Sequence, residues 1–182
     1  MDAATQKRWL ETEIPYRIRA VLAQMPYLWA LTPNEADPLR EDYYTIRGRC
    51  LGDAAWEGRL VAMRWLIEFI GIKRNLADTQ AVPATPDLRR FPFEKRVTDF
   101  GSQFHLFNSQ GTKAAQAEFL SKIWKGCSQS SMHVTEGSNH WPVEPPDLES
   151  ALRIVLDYLD ATIYSSTGHN ALHYALKAAP KK

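Results

Sequence analysis

The stretch DAAWEGRLVAMRWLIEFIG, residues 53–71, decides how the chain folds. Its apolar residues Trp56, Leu60, Met63, Ile67 and Ile70 are spaced four, three, four and three, the period that lines one face of an α-helix. Arg64 and Glu68 fall off that stripe as an i,i+4 pair, and Gly71 stands where a helix needs a C-terminal stop. A helix with so wide an apolar face must be covered by other elements, and the same period recurs on both sides of it. Upstream, Leu10, Ile14, Ile18, Val21 and Met25 form a second stripe, with Thr12 as the expected cap and Pro15 in the first turn. Downstream, Ala117, Leu120, Trp124 and Cys127, with Ile123 beside them, form a third. Leu148, Leu152, Val155, Leu159 and Ile163 form a fourth, punctuated by Pro145, Pro146 and Asp147 at its start and Gly168 at its end. A short tail helix is expected over 170–178, and residues 39–51 also read as helical.

No run alternates with the period of two that marks a strand, and no internal repeat occurs. The expected fold is therefore all-α, an antiparallel bundle of four or five helices. The 182 residues suit a single domain, long enough to bury roughly two-thirds of the surface its unfolded chain exposes. Pro26 to Pro38 reads as a connector, 72–112 as a long irregular mid-chain connection, and 179–182 as a frayed tail. The polar run SQSSMHVTEGSNHWPVEPP, 128–146, cannot be regular helix throughout.

Charge is nearly balanced, 22 Lys and Arg against 21 Asp and Glu, which excludes a global field drawing the protein onto nucleic acid or an anionic membrane. A nucleic-acid site has to be a local patch. The N-terminus carries no apolar run of signal-peptide length, and the longer apolar stretches are broken by charges such as Arg64 and Glu68, so a cytoplasmic protein without a membrane span is expected. Cys50 and Cys127 lack metal-type spacing and are expected as free thiols in a reducing compartment.

His133 and His140 share a polar loop with Cys127 nearby, but the spacing matches no zinc pattern; His169 and His173 stand four apart without the glutamate of a metalloprotease helix, so no metal and no cofactor is expected. Ser128, Ser130 and Ser131 precede His133, but no Gly-x-Ser-x-Gly elbow exists, and the glycines of GRCLGDAAWEGR, 48–59, fit neither phosphate-binding pattern. Glu57 and Glu68, on the helix that carries Arg59 and Arg64, read as surface ion pairs. The mid-chain run FPFEKRVTDFGSQFHLF, 91–107, mixes basic and aromatic residues in the way that stacks bases and neutralises phosphates on single strands. Arg89, Arg90, Lys95 and Arg96, with Lys125, are the candidate nucleic-acid contacts; the competing reading is a loop whose phenylalanines plug the core.

Two segments together carry a family resemblance. RLVAMRWLIEFIGI, 59–72, resembles the second core helix of HEPN-like all-helical proteins, and KIWKGCSQSSMHVTEGSNHWPVEPPDLESALRIVLDYLDATI, 122–163, resembles their histidine-bearing turn and final helix. The resemblance implies a helical bundle acting as a homodimer in a bacterial defence, toxin–antitoxin or mobile-element setting. Many members are metal-independent ribonucleases with an arginine, four to six residues, then a histidine. His133 matches that histidine by context. The positions where the arginine belongs are Gly126, Cys127 and Ser128, with Lys125 one step further off. Neither a thiol nor a hydroxyl can hold a phosphate bidentately as a guanidinium does. The expected role is accordingly a non-catalytic binding module for RNA or a cognate protein. Two alternatives stay open: a ribonuclease using His133 with an arginine from elsewhere, such as Arg64 or Arg96, and a purely structural interaction domain.

Overall fold

The computed structural model describes residues 1–22, 56–74, 81–83, 97–101, 112–132 and 143–177. The fold is all-α. Among the described residues, five helices pack around one core, and they follow from the apolar stripes read above.

Helix α1 is one rod in three parts, Ala3–Arg8, a π-helical segment Trp9–Glu13, and Ile14–Leu22. Its cap lies ten residues before the expected Thr12. Asp2 is the cap instead, its carboxylate accepting from the Thr5 amide at 2.8 Å and the Thr5 hydroxyl at 2.7 Å. These hydrogen bonds hold the Asp2 carboxyl below its ordinary range. Pro15 does not start the helix; it lies within it. A proline there has no amide to donate and its ring crowds the carbonyl four residues back, so a regular α-helix would kink. The π segment removes the conflict by widening the turn just ahead of it, and Ile14 donates five residues back to the Trp9 carbonyl. Ile14, Ile18 and Val21 are buried as the stripe requires, whereas Met25 lies outside the described residues.

Helix α2 spans 56–69 and is the centre of the core. Leu60, Met63, Ile67 and Ile70 are fully buried, and Ala62, Leu66 and Phe69 join them, so its apolar face is wider than one stripe. Burial of each large aliphatic contributes about 1.5–3 kcal/mol. Gly71 ends the helix at φ 93°, donating to the Glu68 carbonyl at 3.0 Å, a conformation in which a Cβ is disfavoured.

Immediately after it, β1 (Ile72–Arg74) pairs antiparallel with β2 (Ala81–Pro83) in the register Ile72 with Pro83, Lys73 with Val82 and Arg74 with Ala81. This two-stranded ribbon lies within the expected irregular connection and corrects that expectation. Three residues are too few for an alternating pattern to be legible. A 3₁₀ turn follows over Val97–Phe100, with Val97 buried in the core and Gly101 at φ 80°.

Helix α3 is Thr112–Met132. It runs past Cys127 into the polar serine run, further than its stripe alone suggests. The buried Ser121 and Ser128 are satisfied within the helix: Ser121 donates to the Glu118 carbonyl and Ser128 to the Trp124 carbonyl, both at 2.8 Å. Helix α4, Pro145–Thr162, starts as its prolines predict, and Asp147 accepts from the Glu144 amide at 3.1 Å. Its C-cap is Ile163 rather than Gly168. Gly168, at φ 76°, shapes the turn into helix α5, Ala171–Lys177, where Asn170 accepts from the His173 amide at 2.7 Å. Helix α5 packs on α1, and Arg19 reaches across to the Ala175 carbonyl near the end of α5. Tyr164 ties the same region down by donating to the Leu10 carbonyl at 2.8 Å. Residues 39–51 and the Pro26–Pro38 connector lie outside the described residues.

Candidate nucleic-acid interface

Where α1 meets α2, three rings lie nearly parallel. Trp65 and Phe69, one helical turn apart on α2, stack at 5.2 Å, and Trp9 of the π segment stacks on both at 5.8 and 6.0 Å. Phe100, from the 3₁₀ turn, closes the cluster edge-on against Trp9 at 6.4 Å and Phe69 at 5.8 Å. Within the mid-chain basic and aromatic run, Phe100 is thus anchored on this cluster. That plugging role is the structural alternative considered for its phenylalanines, and it holds for Phe100.

The outer edge of the cluster is different in character. Arg17 places its guanidinium 5.4 Å from the Trp65 ring centroid and 5.3 Å from that of Tyr16. Tyr16 is 54% exposed and Trp65 half-buried. Among the described residues Arg17 pairs with no carboxylate, unlike Arg8, which is bound to Glu13 at 2.8 Å. The sequence reading missed Tyr16, Arg17 and Trp65. The only signal for them was a Tyr-Arg pair off the apolar stripe of α1, and nothing in the spacing says which aromatic of α2 it meets.

Arg64 faces the other way, onto α3. Its Nε lies 3.1 Å from Glu68 Oε1, and its guanidinium stands 5.1 Å from the Trp124 ring. The same Glu68 oxygen accepts from Trp124 Nε1 at 2.7 Å. One carboxylate therefore joins a cation on its own helix to an indole on the next. The i,i+4 pair expected at the surface is in fact a latch between α2 and α3. Arg59 is used structurally as well, donating to the Val21 carbonyl at 2.8 Å and lying over Trp56.

The three positions at which a HEPN-like arginine would stand, Gly126, Cys127 and Ser128, are all buried on α3. An arginine there would carry its charge into the core, at a cost no surface phosphate offsets. Burial also pushes the Cys127 thiol up to about 12, with the Arg64 charge opposing the shift in part, so at neutral pH it is a packed thiol and not a nucleophile. Lys125 is half-buried on α3. His133, Arg89, Arg90, Lys95 and Arg96 lie outside the described residues, as do His105, His140 and Cys50. Among the described residues no three His, Cys, Asp or Glu side chains gather as metal ligands, and no helix is long and apolar enough to cross a membrane.

No protein-family model matches the chain, and no curated protein or solved structure matches it either.

Proposed function

We propose that the chain is a HEPN-like helical module that holds single-stranded RNA without cutting it. The observation that carries this reading is the Arg17 guanidinium, paired with no carboxylate among the described residues and set between the exposed Tyr16 ring and Trp65. A base has an aromatic face to stack on, and its phosphate has a cation beside that face, the two elements of sequence-tolerant single-strand binding. The candidate contacts Arg89, Arg90, Lys95 and Arg96 precede Val97 and Phe100 in the chain, and Phe100 is anchored on the same aromatic cluster. The non-catalytic part of the reading is supported by Arg64, whose charge is already engaged by Glu68 and Trp124, and by the burial of the three positions that would hold the family arginine. The defence or mobile-element setting rests on the resemblance alone.

The test is fluorescence anisotropy with an unstructured, uridine-rich oligonucleotide, with EDTA present and salt varied. Tyr16→Ala should weaken binding at least about fivefold, since one stacked base is worth about 1–3 kcal/mol. Arg17→Gln should weaken binding and reduce the salt slope by about 0.7, the share of one phosphate on a single strand. Wild-type protein that leaves the oligonucleotide free, or affinity unchanged in both variants, overturns the assignment. Cleavage of the RNA that disappears in His133→Ala would replace binding by a metal-independent ribonuclease activity.

A further inference from the structure

Away from the aromatic strip, the turn between α4 and α5 carries an arrangement with its own chemistry. His169 and His173 lie ring against ring, centroids 4.1 Å apart and planes within 12° of parallel, and both residues are exposed. Among the described residues no ring nitrogen of either takes part in a hydrogen bond. A structural histidine ordinarily spends at least one ring nitrogen on a protein partner, and among the described residues these two spend none.

We propose that His169 and His173 form a two-histidine chelate for a divalent transition-metal ion of the copper, nickel and zinc class. Imidazole is a ligand suited to all three, and copper(II) leads them in affinity for a nitrogen site. Two metal–nitrogen bonds of about 2.0–2.1 Å meeting near a right angle require nitrogens about 3 Å apart. The ring centroids stand 4.1 Å apart and both side chains are exposed, so chelation needs the two rings to turn out of the stack until each points one in-plane nitrogen lone pair at the ion.

The backbone is already held. The His173 amide donates to Asn170 Oδ1 at 2.7 Å, and Thr167 Oγ1 both donates to the His169 carbonyl at 2.8 Å and accepts from its amide at 3.3 Å. Tyr174 stands nearly perpendicular to both imidazoles, at 6.0 and 5.7 Å, and limits their swing on one side. Chelation from a turn whose backbone is already held loses less conformational freedom than chelation from a mobile segment. The Asp160 carboxylate, which accepts from the Ala171 amide at 2.6 Å, places negative charge at the same turn and offsets the positive end of the short helix. The remaining positions around the ion are filled by water. The zinc-protease spacing used to read this pair in the sequence demands an intervening glutamate, but that glutamate serves as a catalytic base and binding a metal does not need it.

The experiment is titration of the intact chain with copper(II), nickel(II) and zinc(II) chlorides by calorimetry, with electron paramagnetic resonance of the copper form. One equivalent of copper should bind with a signature of two imidazole nitrogens and raise Tm by several degrees at saturation, reversed by EDTA. His169→Ala and His173→Ala should each weaken that equivalent at least about tenfold, as even loss of an outer-shell partner commonly does. The triple replacement His105→Ala, His133→Ala, His140→Ala should leave it in place. Should either alanine variant fold poorly without metal, His173→Gln keeps side-chain volume while removing the ligand. Binding that survives in both single variants, or is lost in the triple one, overturns the proposal.

Discussion

Single side chains in this protein do work that their spacing alone does not disclose, and Glu68 is the clearest case. By charge pattern it is half of an i,i+4 pair with Arg64, a contact worth a few tenths of a kcal/mol on an open helix. In the folded chain the same oxygen also receives the Trp124 indole, whose residue is only 6% exposed. Removing the carboxylate would leave a largely buried N–H without this acceptor and take one ion-pair contact from Arg64. Glu68→Ala is expected to lower unfolding free energy by about 1–2 kcal/mol, and Glu68→Gln, which keeps an acceptor, by less. Urea denaturation measures both; equal losses would show that the charge rather than the hydrogen bond matters. Arg17 is the contrasting residue, a cation laid on rings with its charge unanswered among the described residues.

At the level of elements, the helices are legible and their ends are less so. The stripe of α2 and its stop at Gly71 were readable because a 3.6-residue period and a positive-φ glycine are local properties. The start of α1 was not, because its first turns, Ala3–Arg8, bury nothing and carry no stripe. Pro15 then looked like a beginning, although a π segment can carry a helix through a proline. Helix α3 continued through its serines because each buried hydroxyl found a carbonyl within its own helix. For α4 the start rests on Asp147, which accepts from the Glu144 amide. Asp147→Ala should cost about 1 kcal/mol, and Asp147→Asn less, because an amide oxygen can still accept; chemical denaturation with an unchanged m-value would confirm a loss of cap rather than of fold.

Over the whole molecule, stability should depend on pH in the alkaline range for a reason that the charge balance does not predict. The Cys127 thiol has its folded pKa raised from 9.0 to about 12 by burial. Below pH 9 it is protonated in both states and stability is independent of it. Between pH 9 and about 12 the unfolded chain releases a proton that the native chain keeps, so stability falls as pH rises, with a limiting slope of about 1.4 kcal/mol per pH unit. Burial raises the Tyr164 phenol as well, and it adds a loss of the same sign above pH 10. Unfolding free energies measured from pH 8 to 11 should show this decline, and Cys127→Ala should flatten its onset; a variant with the full wild-type slope would place the effect elsewhere. The sequence by itself determined the all-α class, the faces the helices bury and the absence of any strongly charged field, because hydropathy period and net charge are sums over neighbouring residues. Tertiary structure alone decided which polar and aromatic groups meet: Arg64 with Trp124, Arg17 between Tyr16 and Trp65, and Tyr164 with the Leu10 carbonyl. Those pairings depend on how helices distant in the chain cross, and that is set by the packing of the whole core rather than by any local pattern.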